Sequence, residues 1–209
     1  MKKENILFIG PHPDDVFIAC GGFILKNIDK YNFHICCMAT NDLSPSSATR
    51  LSEEKKTWGQ ISDKIKIILF EKGKDTKLQE DYKFMVSFIE TIVSGTNFRY
   101  IFTPYYEDTH QDHIAVSRAT LSACRYMKNT IFFETPSTYN FIPTIFVELS
   151  EEVMKEKKEI SKNYASQILG TDIYSCDLQT IIESKAISNG TATRTCKYAE
   201  GFKAFRVFL

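Results

Sequence analysis

The chain has 209 residues, 43% of them hydrophobic and 25% charged, with 26 Lys and Arg set against 26 Asp and Glu. One folded core accommodates that length, and the composition excludes disordered and collagen-like classes. Balanced charge supplies no field to draw in a polyanion, so nucleic acid and anionic membrane surfaces are disfavoured and a small-molecule partner is expected.

Taken in chain order, short β-rich runs alternate with longer helical patterns. Residues 5–10, 33–40, 64–70, 100–104 and 130–134 read as strands, while 22–28, 52–61, 82–93 and 113–127 carry helical periodicity. Two further helices are expected at 150–167 and 178–189, with Ser150 as N-cap and Gly190 as the stop, and a closing strand at 198–208. This alternation predicts a single Rossmann-like, doubly wound α/β domain with a mainly parallel sheet flanked by helices. The apolar run near the N-terminus ends at Gly10-Pro11, unlike a signal peptide, and no segment approaches the ~20 apolar residues of a membrane span. The six Cys lack C-x-x-C spacing, so reduced thiols and a cytoplasmic location are expected; homo-oligomerisation is left open.

The first strand runs into Pro11-His12-Pro13-Asp14-Asp15, an imidazole and two carboxylates at a strand's carboxyl end. Neighbouring side chains in extended backbone face opposite ways, so His12 and Asp15 are expected to meet at a metal, leaving Asp14 as a base toward water. The competing reading is that Asp14 or Asp15 caps a Gly-rich helix beginning near Gly21. A second cluster, Asp108-Thr109-His110-Gln111-Asp112-His113, follows the fourth strand at the same sheet edge. Of the four His, only His34 lies outside these two clusters. With His113 as third ligand, a His2Asp set leaves one position open, as catalytic zinc does, and that implies hydrolysis. Iron or manganese accepts the same ligands. Asp112 is placed to fix an imidazole tautomer, and a protonated His110 to steady an oxyanion or protonate a leaving amine.

Pro11–Asp15 together with His110–His113 resembles the His-Pro-Asp-Asp and His-x-Asp-His boxes of the PIG-L / LmbE-like family of zinc-dependent N-deacetylases. The likeness continues at Arg50-x-x-Glu53, Asp75–Leu78, Phe133–Pro136, Tyr164-x-Ser166-Gln167 and Tyr198–Phe202. The resemblance implies one zinc per chain on His12, Asp15 and His113, Asp14 as general base, His110 with Asp112 as the electrostatic or acid pair, and Arg50 reaching a substrate hydroxyl or anionic group. It departs from the family at Val16, where a Glu is usual, and at Asn41-Asp42-Leu43, where an Asp-Gly-Glu run is usual. Asn41, Arg50 and Tyr105 follow strands at the carboxyl edge and are expected to bind an N-acetylated sugar. The competing functions are a metal-dependent amidohydrolase on a non-sugar amide and a noncatalytic metal- or ligand-binding relative.

Overall fold

The structure, a computed structural model, describes residues 3–40, 47–166 and 177–208. The strands read from the sequence form as β1 (Glu4–Gly10), β2 (Tyr31–Cys37), β3 (Lys66–Leu69), β4 (Phe98–Pro104) and β5 (Thr130–Phe133). Between them run α1 (Asp15–Asn27), α2 (Ser47–Ile61), α3 (Tyr82–Gly95) and α4 (Gln111–Ala123). The chain continues through β6 (Ile145–Leu149), α5 (Glu151–Ser161), α6 (Leu178–Thr193) and β7 (Tyr198–Arg206).

The sheet order is β3-β2-β1-β4-β5-β7-β6. Neighbours from β3 to β5 are parallel, and β7 lies antiparallel between β5 and β6. A central parallel strand must be apolar on both faces, and β1 is: Ile6 and Phe8 enter one core, Leu7 and Ile9 the other. The first core takes Phe17 and Ile24 of α1, Trp58 of α2, Met154 of α5 and Ile182 of α6. The second takes Met85 and Ile89 of α3 with Val116 and Ala119 of α4. Strand order runs outward from β1 in both directions, so the loops after β1 and β4 part at their carboxyl ends and open a crevice there, the topological switch point.

Several boundaries differ from expectation for physical reasons. Helix α1 begins at Asp15, seven residues before the expected 22, because the turn holding the two carboxylates is itself the helix entry. Strand β6 was not expected: it is short, lies at the sheet edge and is partly exposed along one side, so its apolar signal is weak. Helix α5 starts as expected, with Val153 N donating to Ser150 Oγ, but ends at Ser161 instead of running to 167, and Gln167 lies outside the described residues. Gly190 does not stop α6, which continues to Thr193; a Cβ there would lie 2.3 Å from Lys197 O, so close approach of the chain explains the glycine. Cys20, Cys36, Cys37 and Cys124 are buried free thiols, and Cys196 is half-buried; Cys176 lies outside the described residues. Among the described residues no helix is long and apolar enough to cross a membrane.

A buried ion pair ties α1 to α5 and β7. Inside α1, Gly22 N and Phe23 N donate to the Glu200 carboxylate, each at 2.7 Å. Lys157 Nζ donates to Glu200 Oε1 at 2.7 Å and to Ile18 O at 2.6 Å. The ammonium thus serves the carbonyl that Gly22 N, four residues on, would serve in an unbroken helix. Replacing Lys157 by Met leaves Glu200 buried without its counter-charge, and the expected loss of unfolding free energy is about 3–5 kcal/mol. Urea denaturation of Lys157→Met measures it, and an unchanged midpoint contradicts the pairing.

Candidate metal centre

The crevice gathers the loops that carry both His-Asp clusters. After β1 the chain makes a tight turn in which Asp15 Oδ2 accepts from His12 N at 3.0 Å and lies 3.2 Å from His12 Nδ1. After β4, His110 serves as N-cap of α4, its Nδ1 accepting from Asp112 N at 3.2 Å, so His113 sits in the first helical turn. His113 Nε2 thereby comes within 3.5 Å of Asp15 Oδ2. Ligating atoms of His12, Asp15 and His113, all buried, lie within 4.8 Å of one another; those of His12, His110 and Asp112 form a second such group.

Each of the two histidines in the first group turns its remaining nitrogen onto a carboxylate. His12 Nε2 lies 3.1 Å from Asp112 Oδ2 and 3.1 Å from Asp75 Oδ1. Asp112, fully buried, is fixed in turn by Thr76 N at 2.7 Å and Leu78 N at 3.1 Å. His113 Nδ1 lies 3.0 Å from Asp108 Oδ2, an oxygen that also accepts from Thr135 Oγ1 at 2.8 Å and Thr138 Oγ1 at 2.9 Å. Such outer carboxylates orient imidazole ligands and make them more basic. Two imidazoles and a carboxylate suit zinc and other borderline divalent ions, and the donor set fits such a cation.

The charges around this group explain its titration. Burial alone lowers the pKa of His12, yet hydrogen bonds with Asp112, Asp15 and Asp75 hold it well above its ordinary value. Burial pushes Asp15 up, but the His113 charge and the hydrogen bonds of His12 outweigh it and hold Asp15 at about 2. Asp14 moves the other way, raised by burial and by the neighbouring Asp15 charge. His110 is lowered by burial and by the charges of His12 and His113. With Nδ1 accepting a main-chain N–H, the neutral His110 ring carries its proton on Nε2.

Asp14 occupies the N-cap position of α1 but makes no capping hydrogen bond with its side chain. Its φ of 101° is unusual for a residue with a side chain and costs on the order of 1–3 kcal/mol. The turn is held by Glu54, whose Oε2 accepts from Asp14 N at 3.2 Å and from Tyr164 Oη at 2.6 Å, while Oε1 accepts from Trp58 Nε1 at 2.7 Å. Glu54 was missed from sequence because a Glu beside Glu53 on a charged helix reads as surface; Trp58, four residues on, was the available signal. Val16 is buried in the apolar core, so the carboxylate supporting this turn comes from α2.

The expected substrate residues fare differently. Arg50 donates to Asp75 Oδ2 at 2.8 Å, which brings it to the rim of the His12 cluster rather than to Glu53 or Glu54. Tyr105 is not brought there: its ring is 2% exposed and packs against Phe132 and Phe141, because Tyr105 N continues the ladder to Phe133 O. Asn41 lies outside the described residues. Asp75, Asp108 and Thr135 join the site without a role assigned from sequence. Asp108→Asn is expected to weaken divalent-metal affinity about 10- to 100-fold; a competition titration with a chelating dye measures it, and undiminished affinity removes Asp108 from the support of His113.

The family model described as PIG-L, GlcNAc-PI de-N-acetylase, matches residues 7–124, more than half the chain. A curated relative from Escherichia coli K12, the uncharacterized deacetylase YaiS, is 30% identical over 173 residues, covering 79% of this chain and 92% of that one. The fold is similar to N,N'-diacetylchitobiose deacetylase from Pyrococcus horikoshii, with TM-score 0.76 and 20% identity over 97% of this chain and 84% of that one. It is also similar to the 4-carboxy-2-hydroxymuconate hydratase GalB from Pseudomonas putida, with TM-score 0.78 and 15% identity over 99% and 98% of the two chains. Because that architecture also carries a hydratase, the shared fold does not by itself select a reaction, whereas the family match and the YaiS relationship do bear on descent. By those two findings, the chain belongs to the PIG-L family of deacetylases.

Proposed function

We propose that this protein is a zinc-dependent N-deacetylase that hydrolyses the acetamide of an amino sugar or sugar conjugate. The observation that carries the reading is the convergence of His12, Asp15 and His113 beside Asp14, a buried carboxylate whose side chain caps nothing. Pure metal binding needs no second carboxylate next to the ligands, while hydrolysis needs a base there. The descriptions of relatives, GlcNAc-PI de-N-acetylase and N,N'-diacetylchitobiose deacetylase, support an N-acetylated sugar as the substrate class.

His12, Asp15 and His113 would hold the cation. When bound, zinc supplies a Lewis acid that makes water acidic enough to be deprotonated near neutral pH and polarises the amide carbonyl. Asp14, its pKa raised by burial and by Asp15, takes the proton of the attacking water. The water oxygen bonds to the amide carbon, and the C–N bond then breaks as the departing nitrogen takes up a proton. Asp14 returns that proton, so acetate and a free amine leave with the base restored. His110, with its proton on Nε2, donates to the oxygen on which negative charge develops, a role that a neutral ring fulfils. Asp112 acts through His12 by fixing its ring. Arg50, half-buried and anchored by Asp75, holds a guanidinium at the rim of the cluster, suited to a substrate hydroxyl or anionic group. Tyr105 has no part in this reading.

Asp14→Asn is expected to keep its zinc and lose turnover by about 10²–10⁴-fold, checked by metal analysis together with acetate release. Undiminished turnover moves the base elsewhere. For substrate class, kcat/KM on an N-acetylhexosamine derivative is expected to exceed that on simple N-acetyl amino acids by at least about tenfold, roughly 1.4 kcal/mol of differential transition-state binding. Equal rates leave an amidohydrolase and remove the sugar.

A further inference from the structure

A second cavity, of about 310 Å3, lies behind the metal centre between α1, α6, β7 and the loop after β5. That volume is at the lower end of ligand pockets, roughly 300–1,000 Å3. Its aliphatic walls are Ile18 and Ala19 of α1 with Ile181, Ile182 and Ala186 of α6. Ile18 and Ala19 follow Asp15 by one helical turn, on the same face of α1. Thr135 and Thr138, which hold the Asp108 carboxylate against His113, also line the cavity.

The polar lining narrows the chemistry of an occupant. Four charged side chains face the cavity and pair off, Lys157 with Glu200 at 2.7 Å and Lys185 with Glu134 at 2.5 Å. Net attraction for an anion or a cation is therefore absent from the lining. The least satisfied acceptor of the lining is Glu134 Oε1, buried with no hydrogen bond within 3.5 Å among the described residues, Asn189 being the one neutral side chain that interacts with this carboxylate. A buried carboxylate oxygen left unpaired costs about 1–3 kcal/mol, which a donor entering the cavity relieves. Thr138, Ser184 and Asn189 add neutral hydrogen-bonding groups beside the aliphatic wall.

We infer that this cavity is a second ligand site, which takes an uncharged polyhydroxyl ring of monosaccharide size, with a hydroxyl donating to Glu134 Oε1 and the ring C–H face against the α6 isoleucines. The occupant bears on the metal centre through the Glu134-Thr135 peptide, because Thr135 Oγ1 lies 3.0 Å from His113 Nδ1. The inference is independent of the deacetylase reading, since glucose carries no amide to hydrolyse and serves as the probe.

The test is methyl NMR of the full chain labelled at Ile δ1, titrated with glucose to about 50 mM, where a weak complex with Kd on the order of 1–10 mM is well populated. Shifts concentrated at Ile18, Ile181 and Ile182 are expected, lost in Ala186→Phe, which fills the cavity, and reduced in Glu134→Ala, which removes the acceptor. Should Ala186→Phe fail to fold, Glu134→Ala carries the comparison alone. Glucosamine and gluconate are expected to bind at least about fivefold more weakly, as the paired charges offer neither a counter-ion. Absence of shifts at those isoleucines, shifts that persist in the variant tested, or equal affinity for the charged analogues overturns the proposal.

Discussion

Burying carboxylates at one edge of the sheet is the constraint on which the rest of this structure depends. An unpaired charge in the interior is expensive, by several kcal/mol even after relaxation, so each of these groups dictates what surrounds it. Asp112 requires the backbone N–H groups of Thr76 and Leu78. Asp108 requires the hydroxyls of Thr135 and Thr138 and the N–H of His110. Glu54 requires Trp58, Tyr164 and the N–H of Asp14. Meeting these demands draws α2, the segment after β3, the segment after β5 and the end of α5 onto the β1 and β4 loops, which places the histidines as a by-product of satisfying the acids.

The same electrostatics separates the two adjacent aspartates. Asp15 accepts hydrogen bonds at the histidines and is held at about 2. Asp14 lies one residue earlier with φ 101°, and burial together with the Asp15 charge pushes it up. Two carboxylates joined by one peptide bond thus acquire opposite tendencies, one to stay ionised and one toward its protonated form. The strain at Asp14 is local, and the α2 carboxylate that opposes it is part of the core around Trp58. Stability and reactivity are therefore coupled through Glu54.

On the other side of the same helix, Glu200 and Lys157 interrupt the ladder of α1 without leaving a polar group orphaned. The interruption ties the carboxyl half of α1 to β7 and α5, so the turn that carries Asp14 and Asp15 projects from a helix clamped at two places. Rigid support of this kind is what a preorganised site requires, and the cavity beside it shares both the helix and the threonine loop.

Alternating runs of apolar residues in the sequence determined the parallel sheet, because period and burial are local properties of a strand. The grouping of three of four histidines with aspartates after β1 and β4 determined where chemistry was to be sought, because parallel strands bring their following loops to one edge. Contacts across 30 to 180 positions were decided by tertiary structure alone. That Asp112 clamps His12 follows from the approach of two loops 100 positions apart, whereas Asp108 reaches His113 within the one loop after β4, five residues away. Tyr105 and Glu54 exchanged roles for the same reason: a tyrosine after a strand end reads as a pocket residue and a glutamate on a charged helix as surface, until packing buries the first against Phe132 and turns the second inward to Asp14.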